Sequence, residues 1–405
     1  MKALQFDVNV PRFLAAKTLR MITGNGVFFK GPVKTIQLAD IPEPTRVTPE
    51  WVKIKTIACG FCGSDLNLIL LHDSPSASPF TSFPCVIGHE MVGEIVEVGG
   101  SVADFKRGDI VAVNPGLTCE ARQIKPVCRP CSAGRAGNCE NFAEGSLPPG
   151  MFLGITRGIN GGFAPYFVAH KSQLYKVPEG LDLDAAVMTE PLAVALQTLF
   201  DNMPEPGEKI LVIGGGVIGN LIIQSIKVLA PGCPVSVIEP SSFAAEMART
   251  AGAAEIIPWK EAFPRTARIT GARTYKPMLG MEIAMGGFDR VYDTVASSAT
   301  LNLGMRLTAA MGTLSMVGIG GDAKLDLTPL WLKLQTIKGV YAYGCESHGG
   351  KKQHVFEIAL EMMQHGTIRA GALVTHKFDL EDYRRMIAVN LKKSKHRAMK
   401  TVVSF

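Results

Sequence analysis

The chain has 405 residues, with 42 lysines and arginines against 36 aspartates and glutamates, a formal net charge of +6. That length makes roughly two or three domains, and a 47% hydrophobic content is enough for sizeable cores. So mild a basic balance is no basis for nucleic-acid or membrane binding, and nine cysteines point to metal ligands or buried thiols rather than disulfides.

Met1 to Asp7 has no uninterrupted apolar core and no small-residue cleavage pattern, so no signal peptide is expected. The most apolar stretch, Lys209 to Ala230, is broken by glycines, Asn220, Gln224 and Lys227 and does not read as a membrane span. A cytoplasmic protein is the expectation.

Residues 1 to about 58 read as short strands separated by turns, with Gly24-Asn25-Gly26, Pro42, Pro44 and Pro49 as punctuation. Pro11 to Lys30 is a mixed segment without an assigned role. Residues 85–98 hold strand-like stretches, and Lys106-Arg107-Gly108-Asp109 leads as a polar turn into the strand Ile110 to Val113. Between 114 and 150 the periodicity vanishes and cysteine, proline and glycine crowd together; a stretch that long without regular structure needs something to hold it. From about 184 onward helix and strand alternate. The helix Asp184 to Phe200 is followed by the strand Lys209 to Ile213, a glycine turn and a helix with Ile218, Leu221, Ile222, Ile226 and Leu229 on one face. Val235 to Ile238, Phe288 to Tyr292, Thr313 to Val317 and Gln335 to Tyr341 continue the pattern, which implies a parallel sheet with helices on both faces. Trp259 to Gly287 interrupts it. A helix over about 353–364 and the strand-like Met399 to Val403 finish the chain. The basic run Lys392 to Arg397 reads most simply as a solvated face.

Four constellations carry chemistry. Gly60-Phe61-Cys62-Gly63-Ser64-Asp65 closes an apolar strand with a thiol, a hydroxyl and a carboxylate within four residues. A thiolate binds zinc, a hydroxyl passes a proton, and a carboxylate steers a second ligand from behind. Gly88-His89-Glu90 supplies an imidazole and a carboxylate, the remaining ligand types for zinc; taken alone it is equally a satisfied structural histidine. Glu190, in an apolar setting, calls for a cation. Cys119, Cys128, Cys131 and Cys139 put four thiols into twenty-one residues of a Gly/Pro-rich loop, the pattern of a closed four-cysteine zinc site, with four unligated thiols as the alternative. Cys59, Cys85, Cys233 and Cys345 read as inert packing residues.

The fourth constellation, Gly214-Gly215-Gly216-Val217-Ile218-Gly219, follows a strand and opens an amphipathic helix, and Glu239 stands twenty residues beyond Gly219. That is the context of a dinucleotide fingerprint. Gly214 permits the tight turn, Gly216 the approach of the pyrophosphate and Gly219 close packing, while the helix start at Val217 and Ile218 offers free N–H groups. Glu239 would accept hydrogen bonds from ribose hydroxyls and repel a 2′-phosphate, which predicts NAD over NADP.

Together these motifs resemble the zinc-dependent medium-chain dehydrogenase/reductase family of alcohol dehydrogenases, over nearly the whole chain. The resemblance implies an α/β protein: a GroES-like β-rich catalytic domain (residues 1–183 and 345–405, with a zinc lobe over about 114–145) and a doubly wound Rossmann domain binding NAD (residues 184–344). It implies two zinc ions per chain, a catalytic one on Cys62 and His89 with Glu90 and Glu190 as candidate carboxylate ligands, and a structural one on Cys119, Cys128, Cys131 and Cys139. Asp65 would orient His89 and Ser64 would accept the substrate proton. Glu190 in place of a second cysteine resembles the polyol and threonine dehydrogenase branch. Two departures stand out. Lys125 occupies the place of the usual first lobe cysteine, and Asn67 stands where a relay histidine often follows the serine. The implied activity is reversible NAD-linked oxidation of a small alcohol to a carbonyl, in a homodimer or homotetramer. The rivals are a zinc-independent enone or quinone reductase of the same fold and a catalytically idle dinucleotide-binding relative.

Overall fold

The structure, a computed structural model, describes residues 1–45 and 48–405. They divide into two compact units. The first comprises Met1–Glu190, Tyr343–Gln364 and Ala370–Phe405; the second comprises Pro191–Ala342 and His365–Arg369. Among the described residues no helix is long and apolar enough to cross a membrane.

The first unit is built around the eleven-residue strand Trp51–Phe61. Its sheet runs Val374–Phe378, Lys400–Ser404, Trp51–Phe61, Glu90–Val98, Ile110–Val113, Leu174–Lys176, and Tyr166–His170 pairs with the first half of the long strand. Trp51, Ile54, Phe61, Phe163 and Phe167 lie in its buried core. The register matters for the chemistry. Gly60 stands opposite Glu90 on one side and Val402 on the other. Cross-strand partners share a face of the sheet, and so do residues two apart on one strand. Lys400, two residues before Val402, therefore shares a face with Gly60 and Glu90.

The mixed segment near the N-terminus is a helix, Val10–Thr23, followed by a 3-10 turn, Gly24–Phe28. Asn9 caps it by accepting from the Arg12 N–H, and Pro11 sits in its first turn. Its apolar positions are largely exposed (Val10, Leu14, Met21, Ile22), so burial periodicity does not betray it as a core helix. The helix expected over 184–200 is two pieces, Leu183–Ala186 and Thr189–Asp201, and Glu190 falls in the first turn of the second.

The loop over 114–150 has only one short helix, Arg129–Ser132, and one 3-10 turn, Ala136–Asn138. A fully buried arginine organises it. Arg122 donates to the carbonyls of Leu117, Glu144, Leu147, Pro148 and Gly150. Five backbone acceptors on one guanidinium replace the ladder hydrogen bonds this segment lacks.

The second unit is a six-stranded parallel sheet ordered Glu255–Ile257, Val235–Ile238, Ile210–Ile213, Phe288–Asp293, Thr308–Met316, Thr336–Gly339. Ile210–Ile213 and Val235–Ile238 are buried at every position, as strands covered on both faces must be. The interrupting segment after Trp259 holds the helix Ala262–Thr270 and a small hairpin, Arg273–Tyr275 with Ile283–Met285. Buried Lys333 donates to the carbonyls of Ala284, Arg306 and Thr308, joining that hairpin to the sheet.

Candidate active site and metal centres

Strand Trp51–Phe61 delivers the chain to Cys62, from which the helix Gly63–Ile69 starts. The Cys62 backbone N–H donates to Asp65 Oδ2 at 2.9 Å. One helical turn thus fixes thiol, hydroxyl and carboxylate relative to each other. His89 immediately precedes, and Glu90 opens, the neighbouring strand Glu90–Val98. The ligand atoms of Cys62, His89 and Glu90 lie within 4.8 Å of one another.

His89 is held from both sides. Its Nδ1 faces Asp65 Oδ1 at 3.5 Å and its Nε2 lies 3.3 Å from Ser64 Oγ. Phe152 packs against the ring, with centroids 5.2 Å apart, and walls the site with an apolar surface. Burial alone would push the imidazole pKa down, but the Asp65 carboxylate and the Cys62 thiol outweigh it and hold His89 above its ordinary value.

Glu90 is fully buried and would be costly without a counter-charge. Lys400 supplies one: its Nζ lies 2.6 Å from both carboxylate oxygens. Gly60 makes this possible, because a Cβ there would overlap the Glu90 carboxylate. Glu190 is buried too, and the structure does not bring its carboxylate into the three-residue donor set. Instead Glu190 Oε1 accepts from the Tyr343 hydroxyl at 2.6 Å. Burial pushes its pKa up to about 7; the His89 charge opposes this and the Glu90 charge adds to it.

A thiolate, an imidazole and a carboxylate at this spacing fit a small dication, and the mixture of sulfur, nitrogen and oxygen suits zinc. The four lobe cysteines fit it as well. All four thiols lie within 4.8 Å of each other, with Cys119 Sγ 3.6 Å and Cys128 Sγ 3.9 Å from Cys139 Sγ. A tetrahedral site with zinc–sulfur bonds of about 2.3 Å puts its sulfurs about 3.8 Å apart. Cys119 reaches its three partners across the longer loop. It accepts from the Cys128 N–H at 3.4 Å and from Asn141 Nδ2 at 3.2 Å, the kind of donors a thiolate needs.

In the second unit the glycine turn is shaped for a dinucleotide. Gly214 has φ +95°, and a Cβ on it would strike Thr294 Oγ1 and Val295. A Cβ on Gly219 would overlap the Gly214 carbonyl oxygen, whereas Gly216 opens onto free space at the start of helix Val217–Leu229. Glu239 follows its strand directly and accepts from the Gly215 and Ser241 N–H groups, each at 2.7 Å. Its carboxylate is thereby fixed at the turn.

Residues 48–179 match the alcohol dehydrogenase GroES-like domain, and residues 217–365 match the zinc-binding dehydrogenase domain. A protein of Saccharomyces cerevisiae named as a probable (R)-acetoin-forming diacetyl reductase is 30% identical over 367 residues, covering 84% of this chain and 81% of that one. The chain belongs to the zinc-binding alcohol dehydrogenase family.

The (R,R)-butanediol dehydrogenase of Bacillus subtilis strain 168 is 29% identical over 358 residues, covering 86% of this chain and 91% of the relative. The crystal structure of a 2R,3R-butanediol dehydrogenase from Bacillus subtilis superposes with a TM-score of 0.71 at 27% identity, covering 91% of this chain and 96% of that one. As a zinc-binding alcohol dehydrogenase, the chain combines the GroES-like fold with a Rossmann-like parallel sheet and is an oxidoreductase acting on CH–OH groups.

Three residues of this alcohol dehydrogenase were not legible as site residues. Lys400 had a signal: a cation inside the apolar terminal run Met399 to Val403 needs a buried partner. Tyr343 and Phe152 had none, since neither belongs to a spaced motif. The basic run near the C-terminus also departs from a wholly solvated face. Lys393 turns inward, donating to the Met399 carbonyl at 2.8 Å, and burial pushes its pKa down to about 8.

Proposed function

We propose that this chain is an NAD-linked dehydrogenase of a secondary alcohol, polyol or related hydroxy compound, working reversibly. The observation that carries this reading is the donor set of Cys62, His89 and Glu90 within 4.8 Å, with Ser64 Oγ beside His89. The activities of relatives, butanediol and sorbitol dehydrogenases among them, support the substrate class.

Cys62, His89 and Glu90 would hold the catalytic zinc, which would supply Lewis acidity at the substrate oxygen, and a bound nicotinamide would supply the hydride acceptor. Lys400 neutralises Glu90, one of the two anionic donors. Ser64 Oγ takes the hydroxyl proton. Asp65 keeps His89 turned toward the donor set. Asn67, one turn further along the same helix, has an amide that cannot titrate, so the last proton step would need water, cofactor hydroxyls or another residue. Phe152 keeps the pocket apolar beside His89. Cys119, Cys128, Cys131 and Cys139 would hold a second, structural zinc. Glu239, fixed at the turn, favours ribose hydroxyls over a 2′-phosphate and with it NAD over NADP.

The test combines metal analysis with a panel of secondary alcohols, polyols, hydroxy-amino acids and aromatic alcohols, read by NADH absorbance. The expected result is about two zinc per chain and NADH formation with members of the first two classes. Full activity in verified zinc-free protein overturns the mechanism. Dinucleotide-induced stabilisation without turnover across the panel favours an idle binding relative.

A further inference from the structure

Glu190 stands outside the donor set of Cys62, His89 and Glu90. Its Oε1 accepts a 2.6 Å hydrogen bond from the Tyr343 hydroxyl, and both groups are buried. Tyr343 is itself fixed. Phe356 meets its ring edge-on, with centroids 4.9 Å apart at 76°, and His354 does so at 6.3 Å and 67°. The Tyr343 carbonyl accepts from the Gly137 N–H of the four-cysteine lobe at 3.2 Å. Two further links join lobe and segment: the Cys345 N–H donates to the Gly134 carbonyl at 2.7 Å, and Arg135 pairs with Glu346.

We propose that Tyr343 is a positioning residue that restrains Glu190 outside the metal donor set, leaving that set to Cys62, His89 and Glu90. A short phenol–carboxylate bond in a dry setting is strong, and a ring packed on two sides cannot follow the carboxylate if it moves. Because the Tyr343 backbone is tied to the lobe, the restraint is anchored there. An unrestrained Glu190 would be a second buried carboxylate free to add to the metal and compete with substrate oxygen. The inference rests on the zinc reading of Cys62 and His89 given above.

The experiment compares wild type, Tyr343→Phe, Glu190→Gln and the double variant, each loaded with cobalt(II) or zinc. The readouts are the cobalt visible spectrum and the rate of zinc loss to a chelator. For Tyr343→Phe the expected result is a weaker cobalt d–d band, as for an added oxygen ligand, and catalytic-zinc release slowed about 10-fold, the scale on which partners of metal ligands act. Both changes should vanish when Glu190→Gln is added, while the lobe's zinc is released at the wild-type rate in all four proteins. If Tyr343→Phe leaves spectrum and release unchanged in a wild type that holds two metals, the inference falls and the function reading stands. If its changes persist in the double variant, Tyr343 does not act through Glu190 and the inference also falls. A wild type that holds metal only in the lobe overturns the function reading itself, and the inference with it.

Discussion

Lys400 Nζ sits 2.6 Å from both oxygens of the Glu90 carboxylate, across 310 residues of sequence, and both side chains are almost wholly buried. Lys400, on the last strand, Lys400–Ser404, thus neutralises a candidate metal ligand on a strand from the first quarter of the chain. Glu90 raises the Lys400 pKa, against the burial that would lower it.

In metal-free protein, removing the ammonium leaves Glu90 buried without a counter-charge. There Lys400→Met is expected to destabilise the protein by about 3–5 kcal/mol in denaturant unfolding. Adding Glu90→Gln should recover much of that loss, because the uncompensated charge goes with it. Equal stability of the single variant and wild type would show that the pair contributes no such term.

Cys119→Ser is expected to lower the zinc content from two to one per chain and to open the 114–150 loop to proteases, because three thiols leave the site incomplete. Cys59→Ser is the control. Burial pushes the Cys59 thiol pKa well up, and the nearby Asp65 and Glu90 charges push it the same way, so it stays a thiol and its loss should leave zinc content unchanged.

Ser64 Oγ is the candidate proton acceptor beside His89 Nε2. Ser64→Ala is expected to lower kcat by about 10²–10⁴-fold, the usual size of a proton-transfer contribution, with two zinc ions retained. Unchanged kcat would exclude Ser64 from the proton path.

Glu239→Gln keeps the side-chain size and removes the charge, at the loss of one of the two acceptors that hold the turn. Catalytic efficiency with NADP relative to NAD is expected to rise by about 10-fold, one charge–charge repulsion of roughly 1.4 kcal/mol. An unaltered ratio would locate cofactor choice elsewhere.

His354 is a neutral, packed imidazole. Its Nδ1 accepts from the Phe356 N–H at 3.2 Å, and Tyr175 stacks on the ring with centroids 4.9 Å apart. Burial pushes its pKa down from 6.5 to about 4. Below pH 6.5 the unfolded chain binds a proton that the folded chain refuses until about pH 4, so stability falls as pH falls through that window and the group is silent above it. The loss at pH 4 comes to about 3 kcal/mol. His354→Phe should flatten that part of the acid limb of the stability–pH profile.

Local chemistry is what the sequence by itself determined. Cys62 to Asp65, Gly88 to Glu90, the four lobe cysteines and the Gly214 to Gly219 turn each lie within a short span, so spacing along the chain already reports spacing in space. The alternation of helix and strand after residue 184 announced a parallel sheet for the same reason: its period is local. Cys119 shows the limit of this legibility. Its departure from the usual spacing could be noticed, but only the fold of the loop around Arg122 brings its thiol to 3.6 Å from Cys139. The tertiary structure alone decided which carboxylate lies within 4.8 Å of the Cys62 and His89 ligand atoms. Glu90 and Glu190 look alike as buried acids in apolar runs, and their fates depend on Lys400 and Tyr343, residues 310 and 153 positions away. Strand register carries Lys400 past Gly60 to Glu90, and the lobe holds Tyr343 against Glu190. Long-range pairing of this kind leaves no period in the chain, because the cost of burying a charge is met by whichever partner the fold brings near.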